Sequence, residues 1–321
     1  MSLRGRLSLL GAVAIVVAAC SGSGSTPAPT AAPTVAPTAA ASAAQSMAPS
    51  QAAAASPTVA PSATPIPGGL LDKVLKAGVL VVSTDPNYAP QSIQNPDGSF
   101  SGFDIDVATE IAKRLGVQVK FTTPDWSAIT AGGWGGRWDV SVGSMTVTTD
   151  REKVLDFSPP YYYTPAQFAT YTGSGITSVD GFAGKTVCAG ESTTYLDWLQ
   201  GKKLDFGSLS PTTTPPAGVK AVTQKTDALC AQLWASGRHD FQGWLTAGPT
   251  VQSAIDQNQP VVKVGDPVYY EPLAVAVDKS GPNDSDFMVA LKSIVDSMHA
   301  DGTLTQFSMK WYKLDLTQGP G

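Results

Sequence analysis

The sequence predicts two α/β lobes, each built on a mostly parallel sheet, with a ligand cleft between them. Three observations lead there. One strand–helix–strand rhythm runs from Val79 to Val142, and a second runs from Lys185 to Ser236. The charged, foldable part spans 253 residues, which suits one large domain or two modest lobes.

The elements follow in order. Val79-Leu80-Val81-Val82 is a short apolar run behind Gly78 and reads as a buried strand. Asn95-Pro96-Asp97-Gly98 is a turn. Val107, Ile111 and Leu115 stand at i, i+4 and i+8, one face of a helix that Gly116 closes. Val117, Val119 and Phe121 alternate as a strand does, and Trp138, Val140 and Val142 mark another. In the second set Lys185–Cys188 is a strand, Thr194–Leu199 begins a helix, and Asp227–Ser236 is a helix. Phe287, Leu291, Ile294, Val295 and Met298 form an amphipathic stripe, and Leu304, Phe307 and Trp311 lie on a last helix after Gly302. Ligands are expected at the carboxyl ends of the strands that face the cleft.

The first 68 residues are different material. Residues 1–20 read as a signal peptide: Arg4 and Arg6 precede an apolar run, Leu7 to Ala19, too short to span a bilayer comfortably. The run ends in Val17-Ala18-Ala19-Cys20, which resembles the bacterial lipobox, so Cys20 is expected to be lipidated and to anchor the chain. The alternative is an ordinary signal that leaves Cys20 a plain thiol. Residues 21–68 hold 16 Ala, 9 Pro, 8 Ser and 6 Thr, with no charged or aromatic residue. Such a segment has nothing to bury that offsets ordering entropy, and it reads as an unfolded, extended tether. Residues 69–321 are the binding domain.

The formal net charge is −5; once Arg4 and Arg6 leave, the 21 basic residues fall to 19 against 26 acidic ones, or −7. That balance excludes a basic nucleic-acid binder. Cys188 and Cys230 are an isolated pair outside the cytoplasm, either bridged or two separate thiols, with the bridge favoured. Motifs for catalysis are missing: there is no G-x-S-x-G, P-loop, H-E-x-x-H or C-x-x-C, and His239 and His299 stand in surface or helical contexts. Gly132-Gly133-Trp134-Gly135-Gly136 reads as a tight turn that places Trp134. Asp104-Ile105-Asp106 is either a metal pair or, the preferred reading, an acidic cap for the following helix. No metal and no cofactor is expected.

Several pieces then occur in one order. They are Gly78-Val79-Leu80-Val81-Val82-Ser83-Thr84-Asp85 with Tyr88 and Pro90, and Gly102-Phe103-Asp104-Ile105-Asp106-Val107 leading to Leu115-Gly116. Trp138-Asp139-Val140, Met145-Thr146-Val147-Thr148 with Arg151, and Leu155-Asp156-Phe157-Ser158 follow. Glu271-Pro272 and His299-Ala300-Asp301-Gly302-Thr303-Leu304 complete the set. Together, from about Leu71 to Leu316, they resemble the bacterial extracellular solute-binding proteins of the polar amino-acid family, which feed ABC importers.

The resemblance implies a two-lobed periplasmic-binding-protein-like fold with a two-strand hinge. Lobe 1 would comprise about 69–162 and 273–321, and lobe 2 about 166–266, with crossings at Tyr163-Thr164-Pro165 and Tyr270-Glu271-Pro272. It implies that Arg151 holds a ligand carboxylate through two parallel charge-assisted hydrogen bonds. The alternative for Arg151 is a surface pair with Asp150 or Glu152. Thr146 and the backbone around Ser144 would assist it, and Thr193, with Ser192 beside it, would complete the clamp on closure. Tyr88 and Trp126 would be either aromatic walls or core, and Asp85 would face the ligand side chain. The chain departs from the pattern at Leu245, where relatives place the aspartate that holds the ammonium group, and Glu191 is a candidate replacement. Gln91 replaces an aromatic wall residue.

The expected function is that of a non-catalytic, exported, monomeric receptor. It captures an amino acid or related carboxylate for an ABC permease, held to the outer face of the membrane or in the periplasm by its lipid. The alternative is an exported enzyme of the same fold, a cyclohexadienyl or arogenate dehydratase.

Overall fold

The computed structural model describes residues 63–320; the signal, Cys20 and most of the tether lie outside the described residues. Lobe 1 begins where Ile66 donates its N–H to Asp286, followed by α1 (Leu70–Ala77) and β1 (Val79–Ser83). A small antiparallel sheet of β2 (Asn87–Tyr88), β3 (Ser92–Gln94) and β4 (Phe100–Ser101) leads into α2 (Phe103–Leu115). Next come β5 (Gln118–Thr122), α3 (Trp126–Thr130), β6 (Val140–Thr146) and β7 (Leu155–Phe157).

A long strand, β8 (Tyr162–Tyr171), carries the chain into lobe 2. That lobe holds β9 (Thr186–Gly190), α4 (Thr194–Leu199), β10 (Lys220–Gln224), α5 (Ala228–Ala235), β11 (Gly243–Ala247) and α6 (Gly248–Asp256). The 18-residue β12 (Val261–Asp278) returns to lobe 1, which ends with α7 (Ser285–Ala300) and α8 (Thr303–Tyr312).

One sheet runs through both lobes in the order β10-β9-β11-β8-β12-β6-β1-β5, with β7 paired to β12. In lobe 1, β1 is parallel to both β5 and β6; in lobe 2, β9 is parallel to both β10 and β11. The two parallel halves are joined by the antiparallel pair β8–β12, whose register sets Tyr163 against Pro272 and Thr164 against Glu271. The joint is thus two extended strands. That leaves the lobes free to pivot on a few residues.

Each lobe has its own apolar core. Leu71, Leu80, Val82, Ile111, Leu291, Ile294 and Met298 pack in lobe 1, so the periodic positions of α2 and α7 face the sheet as their spacing requires. Phe168, Phe182, Trp198 and Leu245 pack on one face of lobe 2, and Trp234 and Trp244 on the other. Cys188 in β9 and Cys230 in α5 are joined by a disulfide that ties that helix to the sheet. Among the described residues no helix is long and apolar enough to cross a membrane.

Two local readings fare differently. Gly132, Gly133, Gly135 and Gly136 all have positive φ, and the turn they make buries Trp134 against Trp138. Asp278 holds that turn: its carboxylate accepts from the N–H groups of Gly133 and Trp134 and from both donors of Ser280. Burial pushes its pKa up, but those hydrogen bonds outweigh burial and leave it below the usual value. Replacing Asp278 by alanine leaves buried N–H groups unpaired, so urea unfolding should show a loss of about 2 kcal/mol. A loss of under about 0.5 kcal/mol would mean the turn holds itself.

The expected cap at Asp104 or Asp106 is not made. The residue before α2 is Gly102 at φ 134°, and no side chain caps the helix. A Cβ there would lie 2.2 Å from the Gln91 carbonyl oxygen, so the close approach of the two chains demands glycine. Asp104 turns inward instead, and Asp106 accepts from Lys310 and the Trp311 indole. Among the described residues no acidic, histidine and cysteine group could hold a metal.

Candidate functional site

The cleft forms where the sheet halves present the carboxyl ends of their parallel strands, the usual ligand position in such sheets. Asp85 follows β1, Ser144 and Thr146 lie at the end of β6, Gly190 ends β9 with Glu191 and Thr193 just beyond it, and Lys225 to Asp227 follow β10. With Trp126, Arg151, Thr194, Tyr195 and Glu271 they line a space of about 440 Å³, a figure that includes its open mouth.

Arg151 bridges the lobes. It sits in the turn after Thr148, whose hydroxyl accepts from the Arg151 N–H. Its Nη1 donates to the Thr146 carbonyl at 2.9 Å and its Nη2 to the Ser192 carbonyl at 3.0 Å. The guanidinium carbon lies 5.8 Å from the centre of the Trp126 ring, within cation–π range. It has no ion pair among the described residues, and Asp150 pairs with Lys153 instead. Burial lowers the Arg151 pKa, while Glu271 and Asp197 pull it up. The group remains a cation, with charge to offer to a ligand anion.

The other expected residues separate by what they have left to give. Asp85, Tyr88, Trp126, Ser144, Thr146, Glu191 and Thr193 all line the cleft. Ser144 has spent both donors inside lobe 1: its N–H goes to the Tyr161 hydroxyl and its Oγ to Asp104. Thr193 caps α4, accepting from the Leu196 N–H and donating to the Gly190 carbonyl. Ser192 is exposed and reaches the site through its carbonyl alone. Tyr88 is buried and packs among lobe 2 apolar side chains, and Trp126 keeps a buried indole N–H without a partner. Gln91 is not a cleft wall: it is fully buried and pairs with Thr250 of lobe 2.

Three acids in the cleft carry unusual protonation. Burial pushes Asp85 up to about 6, against one hydrogen bond from the Asn87 N–H. Burial, then the nearby charges of Asp85 and Glu271, hold Asp227 at about 7 despite its bond from the Gly190 N–H. Burial also raises Glu271, opposed by hydrogen bonds from Thr194 and Tyr195 and by attraction to Arg151. The sequence places Glu271 in an expected crossing between the lobes and Asp227 at the start of a helix, so neither position by itself signals a cleft acid. Tyr195 and Thr194 carried no signal beyond their place in a helix. His239 stacks on Tyr171 and His299 bonds the Pro160 carbonyl; neither lines the cleft.

The match to a family model covers residues 80–314 and describes bacterial extracellular solute-binding proteins, family 3. The chain belongs to that family. The L-cystine-binding protein TcyJ of Escherichia coli (strain K12) is 30% identical over 254 residues, 78% of this chain and 88% of that protein. The structure of an ancestral arginine-binding protein bound to arginine superposes with a TM-score of 0.62 at 28% identity, covering 73% of this chain and 98% of that one. A cyclohexadienyl dehydratase of Pseudomonas aeruginosa is 31% identical over a shorter stretch of 91 residues, 28% of this chain and 34% of the enzyme.

Proposed function

We propose that this family 3 protein is the extracytoplasmic, lipid-anchored receptor of an ABC importer and captures an amino acid or close derivative by closing its lobes on it. One observation carries the reading: Arg151, a cation without an acidic partner, stands at the seam of the two lobes and touches both. A ligand carboxylate can replace the Ser192 carbonyl on Nη2 and gain charge-assisted bonds that neutral carbonyls do not give. The named relatives that bind L-cystine and arginine support the same class of solute. Cys20 lies where a lipobox cysteine would tether the domain, with residues 21–68 as spacer.

Thermal unfolding of the full-length chain against amino acids tests the proposal. A true ligand at 100 times its Kd stabilises by about 2.7 kcal/mol, which raises Tm by several degrees. A screen of the common amino acids and L-cystine with no shift at millimolar concentration would sink it. A dehydratase reading draws on Asp85 and Asp227, whose pKa values of about 6 and 7 suit general acids at neutral pH. Incubation with prephenate or L-arogenate is expected to leave both unconsumed.

A further inference from the structure

The cleft holds more buried negative charge than its own cations balance. Asp227 is 6% exposed and Glu271 is 1% exposed. Neither they nor Asp85 enters any ion pair among the described residues. Lys225, the one lysine in the cleft wall, points to Asp125 across the mouth at 3.7 Å. A buried carboxylate without a cation is costly unless it keeps its proton or meets a charge brought from outside.

Resting on the amino-acid reading above, we infer that Asp227 is the seat of the ligand's α-ammonium group in this chain. The position from which relatives are expected to supply that acid is Leu245, and here it is fully buried in the lobe 2 core, turned away from the cleft. Asp227 enters the cleft from a different element, the start of α5. Its Oδ1 is pinned at 2.6 Å by the Gly190 N–H, which fixes the carboxylate, and the Thr246 hydroxyl beside it also favours the charged form. The preceding residue, Thr226, accepts from Asn87 of lobe 1 at 3.2 Å, and Gln232 of α5 donates to the same Asn87. The start of α5 thus lies against lobe 1, and Asp227 and Arg151 line the same cleft. An α-amino acid bridging Arg151 and Asp227 would use one charge on each lobe, so that neither lobe alone could hold it. Glu191 is the weaker seat: it is half-exposed, its carboxylate accepts no hydrogen bond among the described residues, and a water-facing pair contributes little.

Calorimetric titration of the full-length chain tests this with L-arginine, L-cystine and L-glutamine, each against its deaminated analogue (guanidinopentanoate, dithiodipropanoate, glutaramate). Asp227→Asn should weaken the tightest of the three amino acids by roughly 30-fold or more, the cost of removing one partner of a buried charged pair. Its analogue should change by less than about 3-fold, and Glu191→Gln should leave the ratio of the two intact. Equal losses for amino acid and analogue would make Asp227 structural and overturn the inference. No binding of any amino acid by the unaltered chain would overturn the amino-acid reading itself, a different result.

The unaltered chain gives a second test that needs no variant. Asp227 faces Asp85, Glu271, Tyr88, Tyr195 and Tyr269 and the Thr246 hydroxyl, with Glu191, Lys225 and Arg151 on the same cleft, and burial holds its pKa at about 7. An ammonium must displace the carboxyl proton, whereas the analogue need not. The preference for amino acid over analogue should therefore grow about 10-fold or more from about pH 5.5 to about pH 8. A constant preference across that range would overturn the inference.

Discussion

Replacing Arg151 by alanine is expected to weaken amino-acid binding by about 100- to 10,000-fold. Two charge-assisted hydrogen bonds to a buried carboxylate contribute about 1.5–3 kcal/mol each, and losing both also strands the ligand anion in a cleft rich in acids. At about 1.4 kcal/mol per decade the expected loss spans about two to four decades. Lysine should recover only part of it, because an ammonium cannot present the parallel fork of a guanidinium. The variant's own fold is the control. Arg151 makes two side-chain bonds to carbonyls, of Thr146 and Ser192, so its loss should lower Tm by several degrees at most, leaving a folded variant in which affinity falls by decades. A loss of less than about 5-fold would remove Arg151 from the site and leave the proposed clamp without its centre.

The protein's net charge sharpens why that residue matters. A chain with 26 acidic and 21 basic residues repels the carboxylate it is proposed to bind. Selectivity then has to come from a local cation in a site that excludes water, where Coulomb attraction is several times stronger than at the surface.

How much of this could be read in advance depends on whether a residue's role was local. The faces of α2 and α7 were legible because Val107, Ile111 and Leu115, or Phe287, Leu291 and Ile294, repeat at helical spacing and bury accordingly. Glycine did the same for the turn around Trp134, since four positive φ values tolerate little else. Arg151 is singled out by the order of short segments around it. The misses are residues whose partners are distant in sequence. Asp104 meets Ser144 and Tyr161, 40 and 57 positions away, and Gln91 meets Thr250, 159 away. Asp227 meets Gly190, 37 residues earlier. No spacing rule reports such contacts, and each of the two aspartates stands at a helix start where a cap is the natural reading. The 18-residue run of β12 was hidden for another reason: Pro267 and Pro272 interrupt its pattern, and the strand shifts register between Val264 and Tyr269.

Asp104 should also impose a pH dependence on stability. Its carboxyl is fully buried behind the cleft floor, accepting from the Tyr161 hydroxyl and from Ser144, whose φ of 56° is held there. Burial raises its pKa from 3.8 to about 7, against those two hydrogen bonds and with a further push from Asp85. A folded pKa above the unfolded one means that the native state keeps a proton the unfolded chain has released. The stability contributed by that proton is complete below about pH 3.8 and is lost as pH rises to about 7, in all on the order of 4 kcal/mol. Asp85 and Asp227 act in the same direction, whereas Asp278 and Asp301, with lowered pKa values, contribute stability that is lost only in stronger acid. The single term is isolated by Asp104→Asn, which keeps an acceptor for Ser144 or Tyr161 and cannot titrate. Urea unfolding of the ligand-free chain at about pH 4.5 and about pH 7.5 should move the variant's stability relative to the unaltered chain by about 3 kcal/mol in the variant's favour. Whatever fixed penalty the amide carries cancels in that difference. Parallel profiles for the two proteins would mean that Asp104 is ionised throughout, held by its two donors in spite of burial.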